Sequence, residues 1–153
     1  MWYVEDIVNA LHGARIRNID LPKDRSTIRF VFATQDRSSE QPPTGVQLTC
    51  QFSKISELLA SVWTRTSNLT VSVGWDRAVR MPDMCCGELT ITDVQYTKLA
   101  GASFRMTFVT VTPRWSADSH GTYSITAEVL EACIGDDPLS RVAMQWTKLG
   151  CGR

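Results

Sequence analysis

Val46-Gln-Leu-Thr-Cys-Gln-Phe52 holds the cleanest alternation in the chain, with Val46, Leu48, Cys50 and Phe52 on one side and Gln47, Thr49 and Gln51 on the other. A period of two is the signature of a β-strand with one buried face. The same period recurs on both sides of this run. Upstream, Ile28, Phe30 and Phe32 oppose Arg29, Val31 and Ala33 between Ser26 and Thr34, and a short strand fits around Ala14 to Ile19. Downstream, Leu69, Val71, Val73 and Trp75 alternate. Two longer runs, Glu88 to Leu99 and Ser103 to Thr112, then flank Ala100-Gly101-Ala102, which reads as a hairpin turn. The first of them changes phase near Asp93, from Leu89 and Ile91 to Val94 and Tyr96, as a β-bulge would make it do. Tyr123, Ile125, Ala127 and Val129 form a further strand, and Val142, Met144 and Trp146 the last.

Two segments carry helical spacing instead. Val4, Ile7, Val8 and Leu11 predict a short amphipathic helix within residues 1–14, with Glu5 and Asp6 in its first turn and Gly13 at its end. Ser53 stands where an N-cap belongs, and Ile55, Leu58, Leu59, Val62 and Trp63 follow at i, i+3, i+4, i+7 and i+8, so a helix is expected over about 53–66. The expected class is α+β and β-rich. It is an antiparallel β-sandwich with an N-terminal helix and one helix, 53–66, packed on the sheet. The polar, proline-bearing residues 35–45 read as an exposed loop, 76–87 as a long excursion, Ser116 to Gly121 as a loop and Gly135-Asp136-Asp137-Pro138 as a turn.

The chain of 153 residues balances 16 Lys and Arg against 16 Asp and Glu. That length fits one domain, 1–153, with a core that needs no disulfide or metal. Zero net charge argues against direct nucleic-acid binding, which needs surplus cations to displace counterions. Apolar runs fall far short of the roughly 18 residues of a membrane span. Met1-Trp2-Tyr3-Val4-Glu5-Asp6 carries acids where a secretory leader would be basic, so a cytoplasmic protein is expected.

Chemistry-bearing patterns are sparse. Cys50, Cys85, Cys86, Cys133 and Cys151 show no zinc spacing, and the adjacent Cys85-Cys86 reads as two ordinary thiols. Asp118-Ser119-His120 has the residue types of a hydrolase triad, but sequence neighbours cannot adopt triad geometry. His12 suits the end of the first helix, Asp136-Asp137 a turn, and Asn68-Leu69-Thr70, though a glycosylation sequon, a polar turn; Glu128 and Glu131 carry no mark of an acid/base pair. No phosphate loop, dinucleotide fingerprint or HExxH occurs. No catalytic residue, cofactor or metal is expected. The unusual feature is arginine with tryptophan: Trp75, Arg77, Arg80 and Met81 cluster in the excursion, and Arg114-Trp115 stands at a strand end. Those residue types are enriched in interface cores, so the six are candidate subunit contacts.

From Gly45 to Trp115 the order of elements resembles the N-terminal β-sandwich of distal tail proteins of long-tailed bacteriophages. An alternating strand (Gly45 to Phe52) runs into a Ser-led amphipathic helix (Ser53 to Thr66), a second strand (Leu69 to Trp75) precedes a long excursion, and a hairpin closes on Phe104-Arg-Met-Thr-Phe-Val-Thr-Val-Thr-Pro-Arg-Trp115. The resemblance implies a structural subunit of a virion tail, assembled in the host cytoplasm, that forms a homo-oligomeric ring, commonly sixfold, against other tail proteins. The chain opens with a helix where distal tail proteins usually begin with strands, and minor tail, tail-completion and terminator positions fit a short chain with an N-terminal helix equally well. Two other classes fit the residues. One is a small cytosolic binding module such as an immunity or inhibitor protein. The other is an enzyme or small-ligand carrier with Asp118, His120 or Cys85 at the mouth of a pocket.

Overall fold

Alternation in the sequence becomes burial in the fold. The computed structural model describes residues 2–34, 47–64, 69–84, 89–112, 116–134, 137–138 and 142–143. Strand β1 (Trp2–Tyr3) leads into helix α1 (Val4–Leu11), followed by β2 (Arg15–Asp20), β3 (Thr27–Ala33), β4 (Gln47–Ser53), β5 (Glu57–Thr64) and β6 (Leu69–Ser72). Two single-turn helices, α2 (Trp75–Ala78) and α3 (Met81–Met84), occupy the excursion. Then come β7 (Thr90–Lys98), β8 (Phe104–Thr112), β9 (Ser116–Ala127), β10 (Val129–Ile134) and the two-residue strands β11 (Asp137–Pro138) and β12 (Val142–Ala143). The β-rich α+β class is as expected.

Ten strands form one antiparallel sheet in the order β11-β10-β4-β3-β2-β7-β8-β9-β5-β6, while β1 pairs with β12 in a separate parallel ribbon. The sheet curls over on itself. Phe30 on β3 and Phe108 on β8 are three strand spacings apart in that order, about 14 Å on a flat sheet, yet their ring centroids lie 5.3 Å apart. Phe30 also meets Tyr123 on β9 at 5.9 Å, and Phe52 on β4 meets Phe104 on β8 at 6.1 Å. The ten strands therefore make one bent sheet whose two halves share an aromatic core, an arrangement compatible with the expected sandwich. The inward residues described on β3, β4 and β8 contribute to it: Ile28, Phe30 and Phe32, then Leu48, Cys50 and Phe52, then Phe104, Met106 and Phe108 are buried.

Helix α1 forms where the spacing places it, with Val4, Ile7, Val8 and Leu11 buried. The Asp6 carboxylate accepts the Tyr3 backbone N–H at 2.8 Å, which satisfies one orphan donor of the first turn. Gly13 takes φ 79° just beyond the helix, a left-handed conformation that glycine adopts without strain. The hairpin turn keeps Gly101 at φ 66°, and the register of β7 on β8 shifts between Ile91 and Asp93, the expected bulge.

Three expectations are corrected. The helix expected over 53–66 is absent from its described residues, 53–64: Ser53 ends β4, Lys54 turns the chain at φ 54°, and 57–64 run as strand β5 between β9 and β6. The apolar set satisfies both periods, but a helix would hydrogen-bond only within itself, whereas the strand extends two ladders. Val62-Trp63-Thr64 is moreover β-branched and aromatic. Residues 116–121, read as a loop for their polarity, form the first half of β9, paired to β8 and β5. The 69–75 strand stops at Ser72, because Trp75 turns inward at the start of α2.

A corner joins the two halves of the sheet. The chain passes from β4 to β5 through Lys54 and from β9 to β10 through Glu128, side by side. Ser56 N–H donates to Thr126 O at 2.9 Å and Glu128 N–H to Ser53 O at 3.3 Å, so the two bends are fastened to each other.

Candidate functional site

The proposed contacts that can be placed gather on the excursion between β6 and β7. Gly74 O accepts the N–H groups of Arg77 (3.1 Å) and Ala78 (3.0 Å), which closes the single turn of α2. A helix that short is not stable alone. It is held from inside. The Trp75 ring lies 5.8 Å from Tyr123, and the Tyr123 hydroxyl donates to the Ala78 carbonyl at 3.1 Å, filling an acceptor at the end of the turn.

This anchoring divides the six predicted residues. Trp75 is only 5% exposed, so its ring serves the core of this chain and is not offered to a neighbour. Its Nε1–H has no hydrogen-bond partner, a cost of about 1–3 kcal/mol set against the ring's burial. Met81 is half-buried and lines a cavity of about 40 Å³ with Val62, Ala78, Leu89, Thr110 and Tyr123. Arg77 and Arg80 are exposed, Arg80 laying its Nε–H on the Asp76 carbonyl at 3.1 Å. Arg114 and Trp115 lie outside the described residues, as do Cys85, Cys86 and the 35–45 loop.

Beside Arg77 lies a feature that sequence reading passed over. Leu69 and Val71 of β6 are 64% and 55% exposed, and with Val62, Ser72, Val73 and Gly74 they line an open groove of about 340 Å³ whose one charged wall residue among the described residues is Arg77. The signal was present in the sequence: Leu69-Thr-Val-Ser72 contains no charge and no proline, the usual guards of an exposed strand.

The remaining chemistry candidates that are described lie along β9, at the corner and on β10. Asp118, Ser119 and His120 follow one another along β9, with Ser119 paired to Thr64 and His120 to Trp63 and Val111. Glu128 is exposed at the corner and Glu131 is exposed on β10. Among the described residues no three of His, Cys, Asp and Glu come together as metal ligands. Cys50 and Cys133 are free thiols, and burial pushes Cys50 up to about 12, which suppresses the thiolate that a nucleophile or metal ligand requires. No helix of the described residues is long and apolar enough to cross a membrane. Comparisons with protein-family models, curated proteins and solved structures found no match.

Proposed function

We propose that this chain is a structural subunit of a phage tail or tail-like particle, which forms a ring with its own copies and contacts neighbouring tail proteins. One observation carries the reading. Two arginines, Arg77 and Arg80, stand exposed on a turn that the core clamps from beneath through Trp75 and Tyr123. A rigid, arginine-bearing rim beside exposed Leu69 and Val71 has the composition of a contact surface. Ring contacts are heterologous, so one patch meets a different surface on the next copy.

The test is the native mass of the purified chain across concentration, with Arg80→Glu and Arg77→Glu beside it. A closed ring is expected for the wild type. The charge reversals should abolish it while leaving the melting curve in place, since exposed substitutions change stability by about 0.5 kcal/mol or less. A ring that survives both reversals would remove this surface from the reading. A strict monomer that binds one unrelated protein tightly would replace the reading with that of an immunity or inhibitor module.

A further inference from the structure

The ten-stranded sheet has two ends, and they differ in kind. At one end β11 is two residues long and contains Pro138, which has no N–H to give. At the other end lies β6, and among the described residues no strand is paired beyond it. Which of its main-chain groups face outward follows from one hydrogen bond. Val73 N–H donates to Ala60 O at 2.9 Å, so Val73 and Ala60, which continue the register of Ser61 with Ser72, are a hydrogen-bonded pair. Such pairs alternate in an antiparallel ladder. Val71 with Val62 and Leu69 with Thr64 are then bonded pairs as well, and Thr70 and Ser72 turn their N–H and C=O groups away from β5.

We propose that β6 pairs with β6 of a second copy of this chain, antiparallel about a two-fold axis through Val71. In that register Thr70 of each copy exchanges hydrogen bonds with Ser72 of the other, so the outward groups of both strands are used. Val71 faces Val71 of the second copy across a non-bonded pair, where side chains approach most closely. Leu69 faces Val73 of the second copy on the same side. The side chains left 64% and 55% exposed in one copy thus cover each other.

Charge and the self-matching register favour a second copy as the occupant. Neither strand carries a charge to oppose its twin, the chain is formally neutral, and each copy brings both an acid and a base, Asp76 and Arg77, at the exposed start of α2. A four-residue edge with two apolar side chains falls well short of the roughly 800 Å² per partner of a standard interface, which makes the pair weak and concentration-dependent. The pairing rests on the strand's geometry and its exposed, uncharged side chains, and concerns a different symmetry from the ring.

The experiment is native mass from about 1 μM to about 1 mM, the range suited to so small a contact. Wild type should double its mass with concentration, from one copy to two or, where the ring has closed, from one ring to two. Thr70→Pro removes an N–H that the monomer does not use, so β6 stays on β5 while pairing weakens by about tenfold or more. Val71→Lys and Val71→Glu should each remain single, and an equimolar mixture of the two should form pairs, because residue 71 meets itself at the axis. Should Thr70→Pro fail to fold, the Lys and Glu variants still decide the matter. A wild type of one mass throughout, a proline variant that pairs like wild type, or a mixture that stays single would each overturn the proposal. Loss of a closed ring without loss of the pair would count against the ring alone.

Discussion

Gly121 shows how one missing methyl group shapes the interior. A Cβ built there would stand 2.8 Å from Thr110 Oγ1, and the Thr110 hydroxyl donates to the Gly121 carbonyl at 3.1 Å. Thr110 is buried and β-branched, so it has little freedom to swing aside. Gly121→Ala should cost about 1–3 kcal/mol in urea denaturation. In a Thr110→Ala background that penalty should shrink, which a double-mutant cycle reads as coupling of about 1 kcal/mol or more. Cys50 makes a prediction of another kind. Its burial, with a smaller push from nearby Cys133, raises the thiol from an ordinary 9.0 to about 12. The folded state therefore holds a proton that the unfolded chain releases above pH 9, so stability is intact below that pH and falls as pH climbs toward 12. The expected slope is about 1.4 kcal/mol per pH unit. A Cys50→Ala variant, less stable at neutral pH, should lose that part of the alkaline decline.

At the scale of elements, β5 separates what helical spacing would unite. Leu58 packs against the core, whereas Leu59, its neighbour in sequence, is 54% exposed. Leu58→Lys should therefore destabilise by about 2 kcal/mol or more, and Leu59→Lys by about 0.5 kcal/mol or less. A helix would penalise both, so melting curves of the pair distinguish the two structures. The contrast also marks how far the sequence could be read. Strands β3, β4, β7 and β8 were legible, bulge included, because strict alternation of large apolar residues has one interpretation. Residues 53–66 were not, because the same leucines fit two periods and the longer of the two ladders that decide between them, the one with β9, comes from residues more than 50 positions away. The first half of β9 was hidden by polar residues and a glycine whose role is to leave space. The excursion was legible as a cluster of interface-type residues, but not the division within it, since a single turn of helix gives no periodicity to say that Trp75 points in and Arg77 out.

At the scale of the molecule, the sheet belongs to no local stretch of chain. Its two halves meet through Phe30, Phe52 and Phe108, and the paired corners at Lys54 and Glu128 carry one ribbon from half to half. That ribbon fixes an order of events during synthesis. The β3–β4 hairpin can close early, since its strands are neighbours in the chain, but the far side of β4 must wait for Val129–Ile134. At ribosomal rates of about 5–20 residues per second, some 80 intervening residues take about 4–16 seconds to appear. For that interval Leu48, Cys50 and Phe52 lie on a strand with one unfilled side. The nascent chain thus carries a row of main-chain N–H and C=O groups along β4 for seconds without the partners that the finished sheet gives them.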